Sequence, residues 1–414
     1  METTRPTAVG PRLSVMMFLE FFVWGAWYVS VGNFMGSHGM SGGIAWAYTV
    51  GPIAALISPF FLGMIADRFF ATERVLGAMH LLGGLFMLAA PAVAKQQAPG
   101  EYWPFVAMLA GHMLCFMPTL GLTNTLAFHH VTNAEKQFPL IRVFGTIGWI
   151  AANWVVSKGF HADTTEQQFY ITGAAGIALG LFSFTLPHTP PPGAGKPFSA
   201  RDALGLDALA MLSDRSFLLF TLGSFLICIP LAAYYAYAPV FASAAGIKDV
   251  AFSMSFGQVS EIFFMLVMPL CFARLGVKWM LAVGMAAWVA RYALFAAAAD
   301  DKIIWMVTCG IVLHGICYDF FFVTGQIYVD KKAPAQIRGQ TQGFLVLITQ
   351  GLGLGIGAQI MGRVVGKYTT GIAPATLTDW KMVWIIPSAM AAVILLIFIA
   401  LFKDSAGKNA ARST

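Results

Sequence analysis

The chain has 414 residues, of which 58% are hydrophobic and only 11% are charged, and its formal net charge is +6. A soluble protein carries roughly a quarter charged residues and needs more polar surface than this sequence can supply. The composition therefore excludes a soluble enzyme, a disordered chain and a disulfide-stapled domain. It predicts an all-α membrane protein. The positive charges are scattered between apolar runs, so no nucleic-acid-binding patch is predicted.

Twelve apolar runs, each long enough for a membrane-crossing helix, follow one another along the chain. They cover residues 13–34, 43–66, 75–94, 103–128, 139–157, 168–187, 215–244, 251–273, 279–299, 303–328, 340–362 and 382–402. The longest polar interruption lies between the sixth and seventh runs. We therefore expect an N-terminal six-helix bundle (1–187), a cytoplasmic linker (188–214), a C-terminal six-helix bundle (215–402) and a cytoplasmic tail (403–414).

Orientation in the membrane follows from the Lys and Arg residues of the loops. Most of them lie in the loops on the same side as the two termini. Because positive loops stay in the cytoplasm, both termini are predicted to be cytoplasmic. An even number of crossings agrees with this. We expect a monomeric multi-pass protein of the cell (inner) membrane, whose partners are the lipid bilayer and a small-molecule substrate.

Two six-helix halves are typical of transporters that surround a central path. Short basic turns follow the second and eighth runs, one ending in Asp67-Arg68 and the other spanning Arg274 to Lys278. The two turns match only loosely, but they fall at the same place in each half. Asp67 and Arg68 are therefore candidates for a gating contact, and an ordinary positive loop is the alternative interpretation.

Five ionisable side chains lie well inside the predicted spans. They are Glu20, Arg142, Glu261, Arg291 and Asp319. Each costs about 2.5 to 3.5 kcal/mol to insert, so they should face the bundle interior and pair or meet water. Either they form a structural polar lock or they converge on a shared wet cavity between the two halves. For Arg291 a structural lock is as good an interpretation as a functional one, and Asp319 could pair with Arg291 or with Arg142.

The fifth run carries a polar and aromatic face. Arg142, Thr146 and Trp149 lie at i, i+4 and i+7, which is one side of a helix. A guanidinium, a hydroxyl and a large ring on one face could hold a polar, ring-bearing solute. Glu20 and Trp24 in the first run have the same spacing of one turn. Asn124 in the fourth run could bind solute or bridge two helices.

Polar groups in the C-terminal half suggest both binding and proton transfer. Gln258 and Glu261 are i and i+3 neighbours on one helical face. A carboxylate in such a place can be balanced between desolvation and a nearby positive charge, as a proton-coupled carrier requires. His314 and Tyr318 share a face, and Asp319 is turned away from them toward a neighbouring helix. Tyr234 could line the same path.

Signatures of other protein classes are missing from the sequence. There is no GxxxxGK[ST] or HExxH motif, and no CxxC pair among the five cysteines. An enzyme, a bound metal and a nucleotide-driven pump are therefore not predicted, and the chain needs no cofactor other than a coupling proton. His129-His130 is the one visible candidate for a membrane-embedded enzyme or sensor, and a solvated loop explains it better.

At these motifs the sequence resembles the nucleoside:proton symporter family of the major facilitator superfamily. The matching stretches appear in family order and cover nearly the whole chain. They are Phe21-x-x-Trp24-Gly-x-Trp27, Met117-Pro-Thr-Leu-Gly121-Leu-Thr-Asn124-Thr125, Phe138-Pro-x-Ile-Arg142-x-x-Gly145-Thr146-Ile-Gly148, Gln258-x-Ser260-Glu261, Arg291-x-Ala-Leu-Phe295 and Tyr318-Asp319-Phe-Phe. The resemblance implies the major facilitator fold, with twelve transmembrane helices.

The resemblance also implies roles for individual residues. Positions matching Arg142, Thr146, Gln258 and Glu261 contact the nucleoside in that family. The acids matching Glu261 and Asp319 are linked to proton coupling there.

The sequence departs from the family pattern at several positions of the pocket wall. Trp149 stands in place of a Phe, His314 in place of a Tyr and Glu20 in place of a Gln. Span seven offers Leu231 and Tyr234 where the best-known members have Gln and Asn.

We therefore expect a proton-coupled importer of nucleosides or similar polar ring compounds that works by alternating access. Glu261, Asp319 and Glu20 would carry the proton. A carrier for a sugar or glycoside and an exporter of amphipathic compounds are the alternatives. The buried Arg and the Gln–Glu pair argue against the greasier cavity of an exporter.

Overall fold

A computed structural model describes residues 9–61, 67–98, 100–191, 199–203, 205–371 and 377–403, which are almost entirely helical. The α-helices are α1 (Val9–Tyr28), α2 (Val31–Ser37), α3 (Ile44–Phe61), α4 (Asp67–Phe69), α5 (Thr72–Lys95), α6 (Trp103–His130), α7 (Ala134–Trp154), α8 (Gln167–Ser183), α9 (Ala200–Ala203), α10 (Arg215–Ala244), α11 (Val250–Ala298), α12 (Ile304–Val312), α13 (His314–Cys317), α14 (Thr324–Lys332), α15 (Arg338–Val346), α16 (Leu354–Lys367) and α17 (Trp380–Leu401). Strands β1 (Thr369–Thr370) and β2 (Leu377–Thr378) pair antiparallel.

Short irregular helical segments interrupt or extend several of these helices. Three are π-helical: Val155–Gly159, Tyr318–Val323 and Leu347–Gly353. Three are 3-10 segments: Ser41–Gly43, Leu206–Ser213 and Ala335–Ile337. The second π segment joins α13 to α14, and the third joins α15 to α16, so each pair forms one continuous helical span.

Within the described residues, ten helical segments are long and apolar enough to cross a membrane. One of them, α11, has 49 residues and therefore enough length for two crossings. It breaks at Gly276, whose φ of 64° lies in the left-handed region that favours glycine. Helix α8, with 17 residues, is at the short end of the spanning range. With α11 counted as two crossings and α8 added, the predicted twelve-helix architecture is confirmed.

Side-chain caps fix where several of these helices begin. Asn133, Asp214 and Asp379 stand at the N-caps of α7, α10 and α17. Each side chain accepts a hydrogen bond, of 2.9–3.0 Å, from a backbone N–H in the first turn that follows. A cap of this kind satisfies a backbone donor that the helix itself leaves unpaired.

The described chain forms two compact units. The first contains residues 1–43 and 54–199, and the second contains residues 44–53 and 200–414. The passage from one to the other at residues 199–200 lies inside the predicted linker. The residue boundaries predicted for the two bundles and the tail stay a prediction.

Close helix contacts hold the first unit together. A Cβ added at Gly148 of α7 would stand 2.1 Å from the backbone oxygen of Phe18 in α1. One added at Gly84 of α5 would stand 3.0 Å from the backbone oxygen of Gly173 in α8. The backbones approach this closely because no side chain lies between them, which is a common way to pack helices in a membrane.

The second unit is centred on rings at the meeting point of α10, α11 and α17. Tyr292 stacks on Trp384 with ring centroids 5.8 Å apart. Its hydroxyl donates a hydrogen bond of 2.8 Å to the backbone oxygen of Pro230. That carbonyl lies in the middle of α10 and meets the tyrosine hydroxyl inside a dry core.

The first ten residues of α3 pack with the second unit, which the sequence did not indicate. Gln359 of α16 donates a hydrogen bond of 2.8 Å to Thr49 Oγ1. A Cβ at Gly362 would lie 2.5 Å from the Cβ of Ala45. Small residues on both helices therefore permit the contact, and the amide–hydroxyl bond fixes its register.

We predict that replacing Gly148 with Val lowers the thermal stability of the protein. The added side chain cannot fit unless α1 and α7 separate, and overpacking of this kind destabilises by about 1–3 kcal/mol. Thermal unfolding of the purified protein in detergent measures the effect. Gly10→Ala is the matched control on α1, because nothing lies within 4 Å of a Cβ at Gly10. A Gly148→Val protein that melts like the wild type would contradict the close packing of these helices.

Candidate functional site

Three aromatic side chains of the first unit form a wall between α1 and α7. Trp24 lies edge-on to Trp149, with ring centroids 5.5 Å apart and an interplanar angle of 80°. Tyr28, one turn further along α1, is 6.1 Å from the same ring. Neither indole N–H of the two tryptophans has a hydrogen-bond partner among the described residues. A buried tryptophan usually finds an acceptor, so two indole donors without one are unusual at this wall.

Arg142 sits over an aromatic ring at the same part of α7. Its guanidinium carbon is 4.1 Å from the centroid of the Phe21 ring in α1. A Cβ at Gly145 would come within 2.6 Å of Arg142 Nη1 and 2.7 Å of the Phe21 ring. The glycine therefore leaves the space in which the guanidinium stacks, a favourable arrangement for a cation near an aromatic face.

The structure brings the predicted residues of α7 together as expected from their spacing. Arg142, Thr146 and Trp149 are all partly exposed, and they follow one face of the helix. Asn124 lies half-buried on α6, where a solute-binding role stays a prediction. This face combines a cation, a hydroxyl and large rings, which is a set that can bind a polar compound with a flat ring.

Glu20 has a different environment from the other predicted site residues. It is fully buried, and its Oε2 lies 2.7 Å from Nε2 of His80 in α5. Thr119 of α6 donates a hydrogen bond of 2.6 Å to Glu20 Oε1. Sequence reasoning missed His80, although an ionisable ring inside an apolar run was a visible signal. Only the packing of α1 against α5 reveals that the two residues are partners.

In the second unit, His314 is the centre of a cluster of rings. It stacks on Tyr234 of α10 with centroids 5.3 Å apart and an angle of 16°. Tyr318 lies 5.8 Å away on the same helical span. His314 Nε2 is 4.0 Å from Glu261 Oε2, and the Glu261 side chain is 19% exposed while that of His314 is 4% exposed. An imidazole and a partly exposed carboxylate therefore stand side by side.

A close approach of two helices sets this geometry. Gly315 N donates a hydrogen bond of 3.0 Å to Ser260 Oγ, and a Cβ at Gly315 would be 2.6 Å from the Ser260 backbone. Because Ser260 and Gly315 are the chain neighbours of Glu261 and His314, this contact brings the latter two side chains together. Gln258, one turn before Glu261, is half-buried on the same face.

The ion pair expected between Arg291 and Asp319 is not formed, so this part of the prediction is wrong. Arg291 is fully buried, donates from Nε to Gly310 O at 3.0 Å, and stacks on Tyr234 with its guanidinium carbon 4.0 Å from the ring centroid. Its two Nη atoms have no hydrogen-bond partner among the described residues. A carbonyl and an aromatic face take the place of the carboxylate.

Asp319 is fully buried, and neither carboxylate oxygen has a hydrogen-bond partner in the described part of the chain. It is close enough to Glu261 for the two charges to interact. It lies in the π-helical segment Tyr318–Val323, where the angle between successive side chains differs from that of an α-helix. The α-helical spacing used to orient Asp319 from sequence therefore does not apply there.

The gating prediction falls at the edge of what the structure describes. Residues 62–66 and the side chain of Asp67 lie outside the described residues, and Arg68 is half-buried in α4. A gating role for Asp67 and Arg68 stays a prediction. Among the described residues, no group of three or more His, Cys, Asp or Glu side chains is arranged to hold a metal ion.

Comparisons with known proteins identify the family of the chain. The family described as nucleoside H+ symporter matches residues 7–407. The chain is 40% identical over 407 residues to YegT of Escherichia coli (strain K12), a transporter assigned to nucleosides, with 95% of this chain and 94% of YegT covered. It is 32% identical over 412 residues to the nucleoside permease NupG of the same organism, with 95% of each covered.

The fold of the chain is also similar to that of a nucleoside transporter whose structure has been solved. The crystal structure of the nucleoside transporter NupG superposes with a TM-score of 0.84 at 29% identity, covering 96% of this chain and all of that one. The predicted major facilitator architecture agrees with this match, and the family is one of transporters and not of enzymes. The chain is a multi-pass membrane protein that belongs to the nucleoside H+ symporter family.

Proposed function

We propose that this chain imports nucleosides across the cell (inner) membrane together with protons, by alternating access, with both termini in the cytoplasm. It acts as a monomer and needs no metal or cofactor. The observation that carries the proposal is the partly exposed carboxylate of Glu261, whose Oε2 lies 4.0 Å from Nε2 of His314. A second, fully buried carboxylate, Asp319, follows on the helical span of His314. The partly exposed Glu261 can receive a proton from water and respond to a bound solute.

The aromatic wall of the first unit would hold the base. Trp24 and Trp149 offer flat faces and unpaired indole donors. Stacking of a base on an aromatic side chain contributes about 1–3 kcal/mol. Arg142 and Thr146 of the same unit, and Gln258 and Glu261 of the second unit, would hydrogen-bond to polar atoms of the nucleoside.

Proton coupling would involve the two acids of the second unit. Two carboxylates that feel each other's charge in an apolar surrounding repel when both are ionised, and a proton on one of them relieves the repulsion. Release of that proton on the cytoplasmic side would complete the cycle. The membrane potential supplies about 2.3 kcal/mol per charge for each 100 mV, which is enough to drive accumulation.

We predict that Glu261→Gln abolishes uphill uptake but leaves counterflow exchange partly intact. The amide keeps the shape of the side chain and one acceptor oxygen but cannot bind and release a proton at neutral pH. Uptake of a radiolabelled nucleoside into proteoliposomes with an imposed pH gradient measures the effect. Concentrative uptake should fall by about tenfold or more, because exchange needs binding but no net proton transfer.

A matched control is Asp300→Asn, which removes an exposed carboxylate that pairs with Lys381 at 2.6 Å. Its uptake should equal that of the wild type. Wild-type accumulation by Glu261→Gln would refute the assignment of this residue to coupling.

We predict that Trp149→Phe retains nucleoside uptake while Trp149→Ala loses affinity. The phenyl ring keeps a face for stacking, whereas alanine removes it. The loss of about 1–3 kcal/mol corresponds to a rise in KM of about 5- to 150-fold. Trp154→Ala is the control on the same helix, since Trp154 is exposed at its end. Equal KM values for Trp149→Ala and Trp154→Ala would rule out a stacking role.

We predict that Arg291→Met maintains or raises thermal stability but impairs transport. Arg291 is a buried cation without an acidic hydrogen-bond partner, and replacing buried charges with apolar groups is often neutral or stabilising by about 1–4 kcal/mol. Thermal unfolding and initial uptake rates on the same preparation test the two halves of the prediction. Full transport activity in this variant would show that the charge has no role in the cycle.

A further inference from the structure

Three helices of the first unit bring two ionisable side chains and a hydroxyl into one dry pocket. Glu20 of α1 is 0% exposed and His80 of α5 is 3% exposed. Glu20 Oε2 and His80 Nε2 are 2.7 Å apart, and Thr119 Oγ1 of α6 donates to Glu20 Oε1 at 2.6 Å. Both carboxylate oxygens therefore have partners, and one partner is itself able to hold a proton.

Other titratable groups around this pocket are held elsewhere. His112 of α6 interacts electrostatically with His80, but its Nδ1 is bonded to Gly83 O at 3.0 Å. On α7, Arg142 faces α1, where its guanidinium lies over the Phe21 ring. Helix α8 offers only Tyr170, which is 43% exposed. Among the described residues, His80 is thus the one partner of Glu20 that can carry a positive charge.

The chemistry of the pair limits the number of protons it holds. One proton shared between the two groups leaves the pair neutral, either as carboxylate with imidazolium or as carboxylic acid with imidazole. A net charge in such a pocket is unfavourable because no water solvates it. The pair can therefore exchange its proton only in a state of the protein that opens the pocket to water.

We propose that Glu20 and His80 form a proton-binding site of the first unit, distinct from Glu261 and Asp319, that takes up and releases one proton in each transport cycle. The inference rests on the proposed proton coupling. In the release step one N–H or O–H bond of the pair breaks and the proton passes to water, which leaves carboxylate and neutral imidazole. No oxidation or other covalent change is involved.

The ratio of protons to nucleosides tests this inference directly. In proteoliposomes, the pH gradient that just balances a fixed nucleoside gradient gives the ratio, and it can be read with an entrapped pH-sensitive dye. We expect Glu20→Gln and His80→Gln each to lower the ratio by one proton relative to the wild type. His112→Gln is the matched control, because His112 is equally buried but bonds to a carbonyl, and it should keep the wild-type ratio.

Infrared difference spectra of the purified proteins during a pH titration provide a second readout that does not depend on transport. Glu20→Gln should remove one carboxyl signal of the wild type, and His80→Gln should displace it. Spectra and ratios of both variants that match the wild type would overturn the inference and leave the pair as a structural contact. The Glu261→Gln experiment tests the proposed proton coupling separately. The two tests can be told apart because Glu261 and Glu20 contribute different carboxyl signals.

Discussion

The high free energy of a charge inside the membrane is the constraint on which the arrangement of this protein depends. Each ionisable group in a span costs about 2.5 to 3.5 kcal/mol, so neighbouring polar or aromatic groups must stabilise any that is present. Glu20 has His80 and Thr119. Arg291 has a carbonyl and an aromatic face instead of an acid. In both cases neighbouring groups of the protein offset part of the cost of burying the charge.

The two units surround their ionisable side chains with different groups. The first unit places a cation, Arg142, beside rings, which suits the recognition of a flat polar solute. The second unit places acids beside an imidazole, which suits the handling of protons. Glycines make both arrangements possible, since Gly145 leaves room for the guanidinium and Gly315 allows His314 to reach Glu261. The side chains proposed for recognition and coupling are therefore positioned by close helix contacts within each unit.

Much of the architecture could be predicted from the sequence because hydrocarbon imposes a simple rule on composition and length. The twelve crossings, the polar linker and the face formed by Arg142, Thr146 and Trp149 follow from hydropathy and from a regular helical repeat. The turn predicted between the eighth and ninth runs corresponds to the break at Gly276. Family resemblance added the expectation of a major facilitator fold, which the match to NupG bears out.

The remaining features depend on contacts between distant helices, which periodicity cannot supply. His80 becomes the partner of Glu20 only through the packing of α1 on α5, 60 residues away. The orientation of Asp319 could not be derived from α-helical spacing because its segment is π-helical. The ion pair that this spacing allowed with Arg291 is not formed. The packing of residues 44–53 with the second unit likewise has no local signal.

The central claim is tested most directly by measuring whether a nucleoside gradient alone drives protons across the membrane. Proteoliposomes with no initial pH gradient would be given a nucleoside on one side, and a dye would report the internal pH. We expect acidification on the side that the nucleoside enters, and less acidification per nucleoside transported when both Glu261 and Asp319 are replaced by their amides. Nucleoside entry without any change in internal pH would contradict the account.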